Sequence, residues 1–287
     1  MRFLRWLKKP ESPVAPPQEE RDAVEKERTA ARVRIGWSTD VGLVRGQNED
    51  ALLILESYQE GDQPLPPFGF FAVADGMGGH QSGEIASSLA VRSATGYIVR
   101  EIYQYTLSDA EPSSARLSLL EALVGAVNQA NADVASTVPG GGTTLTCALV
   151  IGRRVYIAHV GDSRAYLAFD GRLEQLTQDH SLVDRLMTLG ELTEEEAANH
   201  PQKNVLYRAV GQSGGLEVDT YFRSLPEGAR LLICTDGLWG LLGDEHMAEI
   251  ISTAESPQDA CDALVVSANE AGGRDNITAV LVELPPA

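Results

Sequence analysis

Val73-Ala74-Asp75-Gly76-Met77-Gly78-Gly79-His80, led in by the apolar run Phe68 to Ala74, decides how the rest of the 287-residue chain is read. The run has the length and composition of a buried strand. It stops at a carboxylate followed by three glycines within four residues. An aspartate at a strand end, with backbone opened by glycine, suits a hard cation that takes carboxylate and carbonyl oxygens. Three other segments also set acids beside strand ends: Asn48-Glu49-Asp50, Thr235-Asp236-Gly237 and Arg274-Asp275-Asn276. Carboxylates that converge in a poorly solvated cleft repel one another unless cations neutralise them. All-oxygen ligation selects magnesium or manganese over zinc or copper.

Outward from this stretch, residues 33–37 and 51–56 read as two further strands. Ile85, Leu89, Ala90, Ala94, Ile98 and Ile102 then recur at helical spacing, as do Leu120, Leu123, Val124, Val127 and Ala130 in a helix expected over 113–135. Strands follow at 144–151, 155–159, 165–169 and 173–176, with Asp170-Gly171 as a two-residue hairpin turn. Residues 177–212 read as loop and short helix. Strands return at 216–223 and 231–235, then helices at 244–252 and 257–271, and a last strand at 277–284. Hairpins outnumber strand–helix–strand crossovers, so the class is α+β with antiparallel sheets rather than a doubly wound parallel sheet.

The formal charge is −18. Residues 1–32 hold eight Lys or Arg against six acids, a net of +2, which leaves −20 on the remainder. So acidic a body argues against nucleic acid as a partner. The first 32 residues, basic and then proline-rich, bury too little apolar surface to fold alone and read as a disordered tail before a domain at 33–287. The four basic residues among Arg2, Arg5, Lys8 and Lys9 give at most a weak contact with an anionic membrane or a partner, at about 1 kcal/mol each. Cys147, Cys234 and Cys261 are scattered in apolar contexts, without disulfide or zinc spacing. With no apolar stretch of membrane-spanning length and no signal-peptide core, the expectation is a cytoplasmic protein.

The four acidic segments, in order, together with Arg45, Gly142-Thr143-Thr144, His159-Val160-Gly161-Asp162-Ser163-Arg164 and Leu176-Thr177-Gln178-Asp179-His180-Ser181, resemble the metal-dependent protein phosphatases of the 2C type, the PPM family, in its bacterial serine/threonine branch. The resemblance covers about 33–284. It implies a four-layer α-β-β-α sandwich with two central antiparallel β-sheets, and hydrolysis of phosphoserine and phosphothreonine by direct attack of a water bridging two manganese or magnesium ions. By the same resemblance Asp75 bridges both ions, Asp236 and Asp275 complete one, Glu49 and the Gly76 carbonyl the other, and Asp50 holds bound water. Arg45 matches the arginine that grips the substrate phosphate; a surface ion pair with Glu49 is the alternative.

Met77 stands where many eukaryotic members have a histidine. His80 lies three residues on, as leaving-group acid or as a residue that orders the glycine turn. By resemblance a third ion takes an aspartate just before the Gly142-Thr143-Thr144 segment, but residues 137–141 hold no acid, so that ion has only Asp162, with Asp236, to hold it; a plain turn through Ser163 or Arg164 is the other reading of Asp162. Residues 179–212 match the family's flap beside the cleft. The implied partners are phosphoproteins, serine/threonine kinases and their substrates, met by a monomer. A phosphoprotein-binding scaffold and a small-phosphoester hydrolase stay open as other readings.

Overall fold

Alternation hidden inside apolar runs builds the molecule. In β3 (Phe68–Met77), Phe68, Phe70, Ala72 and Ala74 enter one core, whereas Phe71 and Val73 enter another. A strand covered on both faces needs no polar side chain, which is why its sequence looks continuous rather than alternating. Each fully buried phenylalanine here contributes roughly 1.5–3 kcal/mol. β11 (Ile277–Glu283) does the same on the other side: Ile277, Ala279 and Leu281 face one layer, Val280 and Val282 the next.

The computed structural model describes residues 33–59, 67–78, 81–107 and 117–284. The tail expected over 1–32 and His80 lie outside the described residues. One sheet has the order β1 (Arg34–Asp40), β11, β10 (Arg230–Cys234), β7 (Arg164–Phe169), β8 (Arg172–Gln175). The other runs β2 (Asp50–Ser57), β3, β5 (Leu145–Ile151), β6 (Arg154–Val160), β9 (Asp219–Ser224), with the two-residue β4 (Gly142–Thr143) paired to the end of β3. All the pairings are antiparallel. Helices α1 (Gln81–Ile98) and α2 (Leu119–Thr137) cover the second sheet. The short α5 (Asp236–Trp239), α6 (Asp244–Thr253) and α7 (Pro257–Glu270) cover the first. Between the sheets and helices lie three apolar cores, which makes four layers, α-β-β-α.

Several expectations shift at their edges. β3 continues past Asp75 because Gly76 and Met77 pair with Thr143 and Gly142. The helix expected from residue 113 is described from Leu119, where Ser118 and Glu121 form a capping box. Residues 177–212 contain α3 (Leu182–Thr188) and α4 (Glu194–Ala198). The strand expected from 216 starts at Asp219. The Asp170-Gly171 turn forms with φ of 52° and 69°, both left-handed, as a primed hairpin turn needs.

Candidate active site

Both sheets end at one place. β2 and β3 bring Asp50 opposite Asp75, with Glu49 just before β2. From the other sheet, β10 runs into α5, whose first residue is Asp236, and β11 is entered from Asp275. The 41–49 loop that carries Arg45 joins the two sheets across this end.

Hydroxyl direction fixes Asp50. The Asn48 amide nitrogen donates to Thr39 Oγ1 at 2.9 Å, Thr39 lies 2.9 Å from Thr278 Oγ1, and Thr278 donates to Asp50 Oδ2 at 2.7 Å. Because each hydroxyl has a single proton, the chain runs one way and ends on the carboxylate. Thr235 Oγ1 donates to the same oxygen at 2.8 Å. Asp50 Oδ1, by contrast, is buried with no partner, and so is Asp236 Oδ1. Buried carboxylate oxygens left unbonded are costly, and a site that keeps two of them has a ligand to offer them to.

Charge says the same. Burial, then the neighbouring Asp236, Asp50, Asp162 and Asp275, hold the Asp75 carboxyl well above the usual range. Burial also lifts Asp50 to about 7, against the two threonine hydroxyls, with Asp236 and Asp275 adding to the rise. Asp236 rises for burial and for Asp275, and its carboxyl lies close enough to Asp75 to share a hydrogen bond. Asp162, 7% exposed, is raised by burial and by Asp236. Such carboxyls hold protons that a cation would displace.

Backbone supports are equally specific. The Asn276 carboxamide accepts from Glu49 N at 2.8 Å and donates to the Val41 and Gln47 carbonyls at 2.9 and 3.0 Å, pinning the loop that carries Arg45. Ser87 on α1 donates to the Glu49 carbonyl at 2.6 Å. Gly76 has no room for a Cβ, which would stand 2.3 Å from the Gly83 carbonyl oxygen and 2.6 Å from that of Glu49. Its requirement for glycine is thus close packing of three backbones. Asn276, Thr235, Thr278 and Ser87 were not singled out as site residues by sequence reasoning, although the first three sit inside or beside the acidic segments.

Arg45 donates to Asp275 Oδ2 at 2.6 Å, so its ion pair is with Asp275 and not with Glu49. Asp162 is not paired with Arg164 either. That guanidinium forks onto Asp179 at 2.8–3.2 Å and stacks 3.5 Å from the Trp239 ring centroid. Trp239 in turn donates to the Asp162 carbonyl at 3.0 Å.

Among the described residues, no three His, Cys, Asp or Glu side chains close tightly enough to grip one ion as they stand. The donor set itself fits a hard divalent cation: carboxylate oxygens, two of them buried and unbonded, with no thiolate or imidazole among them. A cavity of about 490 Å³ lies elsewhere, at the far end of the first sheet, where Arg230 is already held by Glu283 at 2.7 Å.

The sequence matches the family described as Protein phosphatase 2C over residues 47–279. The serine/threonine phosphatase stp of Listeria welshimeri is 39% identical over 247 residues, covering 86% of this chain and 94% of its own. The solved serine/threonine phosphatase of S. agalactiae superposes with a TM-score of 0.72 at 32% identity, over 88% of this chain and 99% of that one. The catalytic domain of the phosphatase PstP, solved in complex with two manganese ions, gives 0.68 at 33% identity over 88% and 97%.

Proposed function

The chain belongs to the protein phosphatase 2C family, and from that premise we propose that it is a manganese- or magnesium-dependent serine/threonine protein phosphatase of the bacterial type, acting as a monomer whose catalytic unit spans 33–287. The observation that carries this reading is the meeting of Asp50 and Asp75 from one sheet with Asp236 and Asp275 from the other, with Asp50 Oδ1 and Asp236 Oδ1 buried and unbonded. Glu49, Asp75, Gly76, Asp236 and Asp275 would hold two ions, with Asp50 holding bound water beside them, and Asp162 borders the group. When bound, two such ions neutralise phosphoryl oxygens and acidify water for in-line attack on phosphorus.

The remaining work falls to side chains. Arg45 uses one of its five donors on Asp275, and its other donors are suited to grip two phosphate oxygens. Asp75 and Asp236 surrender their proton as the site fills, so metal uptake releases protons. The two threonines keep Asp50 Oδ2 oriented while Oδ1 is left buried and without a partner. No thiol competes as nucleophile: Cys147, Cys234 and Cys261 are buried, and burial pushes all three up, Cys261 to about 12. Phosphoproteins made by serine/threonine kinases are the substrates this assigns, consistent with the relatives' activity.

Phosphate release from a phosphothreonine peptide tests the proposal, in EDTA, Mg²⁺ or Mn²⁺, for wild type and Asp236→Asn. Metal-dependent release that falls on the order of 10²-fold or more in the variant is expected, since even partners of ligands cost 10–100-fold. Folded protein that releases nothing with either metal refutes the enzyme reading in favour of a phosphoprotein-binding scaffold.

A further inference from the structure

Asn131 is a polar side chain in the wrong place for a helix that otherwise buries alanine, leucine and valine. It lies on α2, 7% exposed, among Ala130, Val134 and the core beneath the helix. An amide buried there is tolerated only if both its ends are bonded. Both are, and to one turn 80 residues away: Gly211 N donates to Oδ1 at 2.8 Å, and Nδ2 donates to the Gln212 carbonyl at 3.2 Å. The two backbone partners leave a single orientation for the amide.

That turn leads directly into the site. Val210 and Thr143 exchange a pair of backbone bonds at 3.0 and 2.8 Å, and Thr143 in turn pairs with Gly76. Residue 210, β4 and the end of β3 thus form three successive rungs. Thr143 Oγ1 also donates to the Asp75 carbonyl at 2.8 Å, Thr144 N does so at 2.9 Å, and Asp75 N donates to Thr144 Oγ1 at 2.8 Å. Gly211 sits at φ of 100° with no space for a Cβ, 2.8 Å from the Gly141 carbonyl, so the turn has one way to lie. We infer that Asn131 is a positioning residue for the metal site: by clasping residues 211–212 it holds the Val210–Thr143–Gly76 rungs, and through them the backbone of Asp75 and Gly76, at the spacing the ions require. This rests on the metal-dependent reading above, and it ties the end of the 179–212 segment to the ligands.

The coupling is reciprocal, so filling the site must also stiffen the clasp. In the full-length wild-type protein, hydrogen exchange measured with and without Mn²⁺ should show the amides of Thr143, Val210 and Gly211 exchanging about tenfold slower with the metal, while the Asp170-Gly171 hairpin amides stay unchanged. Unaltered exchange at all three overturns the inference, with no variant needed. In folded Asn131→Ala and Asn131→Asp the Mn²⁺ dissociation constant from calorimetry should rise about tenfold, while Asn128→Ala, exposed on the same helix, keeps the wild-type value. A purely structural asparagine would lower the melting temperature in EDTA and leave Mn²⁺ affinity at the wild-type value, and that result also overturns the inference. Absence of phosphatase activity with the Mn²⁺-dependent exchange intact would refute the proposed function and leave this inference standing.

Discussion

Replacing Asp50 by asparagine should stabilise the metal-free protein at neutral pH while disabling it. In the fold this carboxyl is lifted from 3.8 to about 7 by burial and by Asp236 and Asp275. A group raised in the folded state supports folding while both states are protonated, below about pH 4, and that support is lost as pH climbs through 7. Each pKa unit is worth about 1.4 kcal/mol, so the loss is about 4 kcal/mol, complete above pH 7. That is a large share of a typical domain stability of about 5–15 kcal/mol. Asparagine keeps the shape, and its oxygen can accept from Thr235 and Thr278 as Oδ2 does. Urea unfolding in EDTA at pH 4.5 to 8 is the assay. The stability difference between Asp50→Asn and wild type should widen with pH toward about 4 kcal/mol at pH 8, and Mn²⁺ should shrink it. Parallel curves for the two proteins would refute the reasoning, because they would mean that Asp50 meets no uncompensated charge.

Three other outcomes follow from the same geometry. Arg45→Lys keeps the charge but loses the planar fork, so the Michaelis constant for phosphopeptide should rise roughly tenfold or more; an unchanged constant would place the phosphate elsewhere. His159, buried between Thr146 and the Gln178 carbonyl, is held down to about 3 by burial and by His180. Its folded form stays neutral while the unfolded chain protonates below 6.5, so its share of stability is lost as pH falls from 6.5 towards 3, up to about 5 kcal/mol. His159→Gln should remove that acid sensitivity in unfolding experiments, and because its slope opposes that of Asp50, wild type should be flatter with pH than either variant. Lastly, with −20 on the chain beyond residue 32, phosphopeptides with lysine flanks should be turned over faster than matched glutamate-flanked ones at low salt, the gap closing as salt screens it; equal rates at low salt would exclude electrostatic selection.

Sequence reading reached the α+β class and its antiparallel sheets because strands and helices leave local marks, whereas the four layers were implied by the family resemblance; the acidic segments were legible as carboxylates beside strand ends. Phe68 to Ala74 announces a strand by composition, and Asp75-Gly76 marks only where its apolar run stops. What it lost depends on contacts between distant segments. Met77 belongs to a strand only because Gly142 lies beside it. The alternative to phosphate binding for Arg45 was an ion pair with its near neighbour Glu49, but the fold brings Asp275, 230 residues away, into reach. Asn131 hides inside a helical apolar stripe, and nothing local tells a buried clasp from a solvent-facing amide. Ser118 and Glu121, by contrast, form a capping box whose residues are a local mark of the helix start.

Asp50 and Asp75 belong to one sheet, Asp236 and Asp275 to the other, and the hydroxyls of Thr235 and Thr278 reach across to Asp50. The sandwich therefore resembles a book: the apolar layer between its sheets is the glued spine, and the acidic end is a fore-edge whose pages push apart. Under the proposed function, ions would act there as a clasp. A chelator would then do more than silence an enzyme; it would unfasten one end of the volume, and proteases and denaturants should find their first opening at that edge.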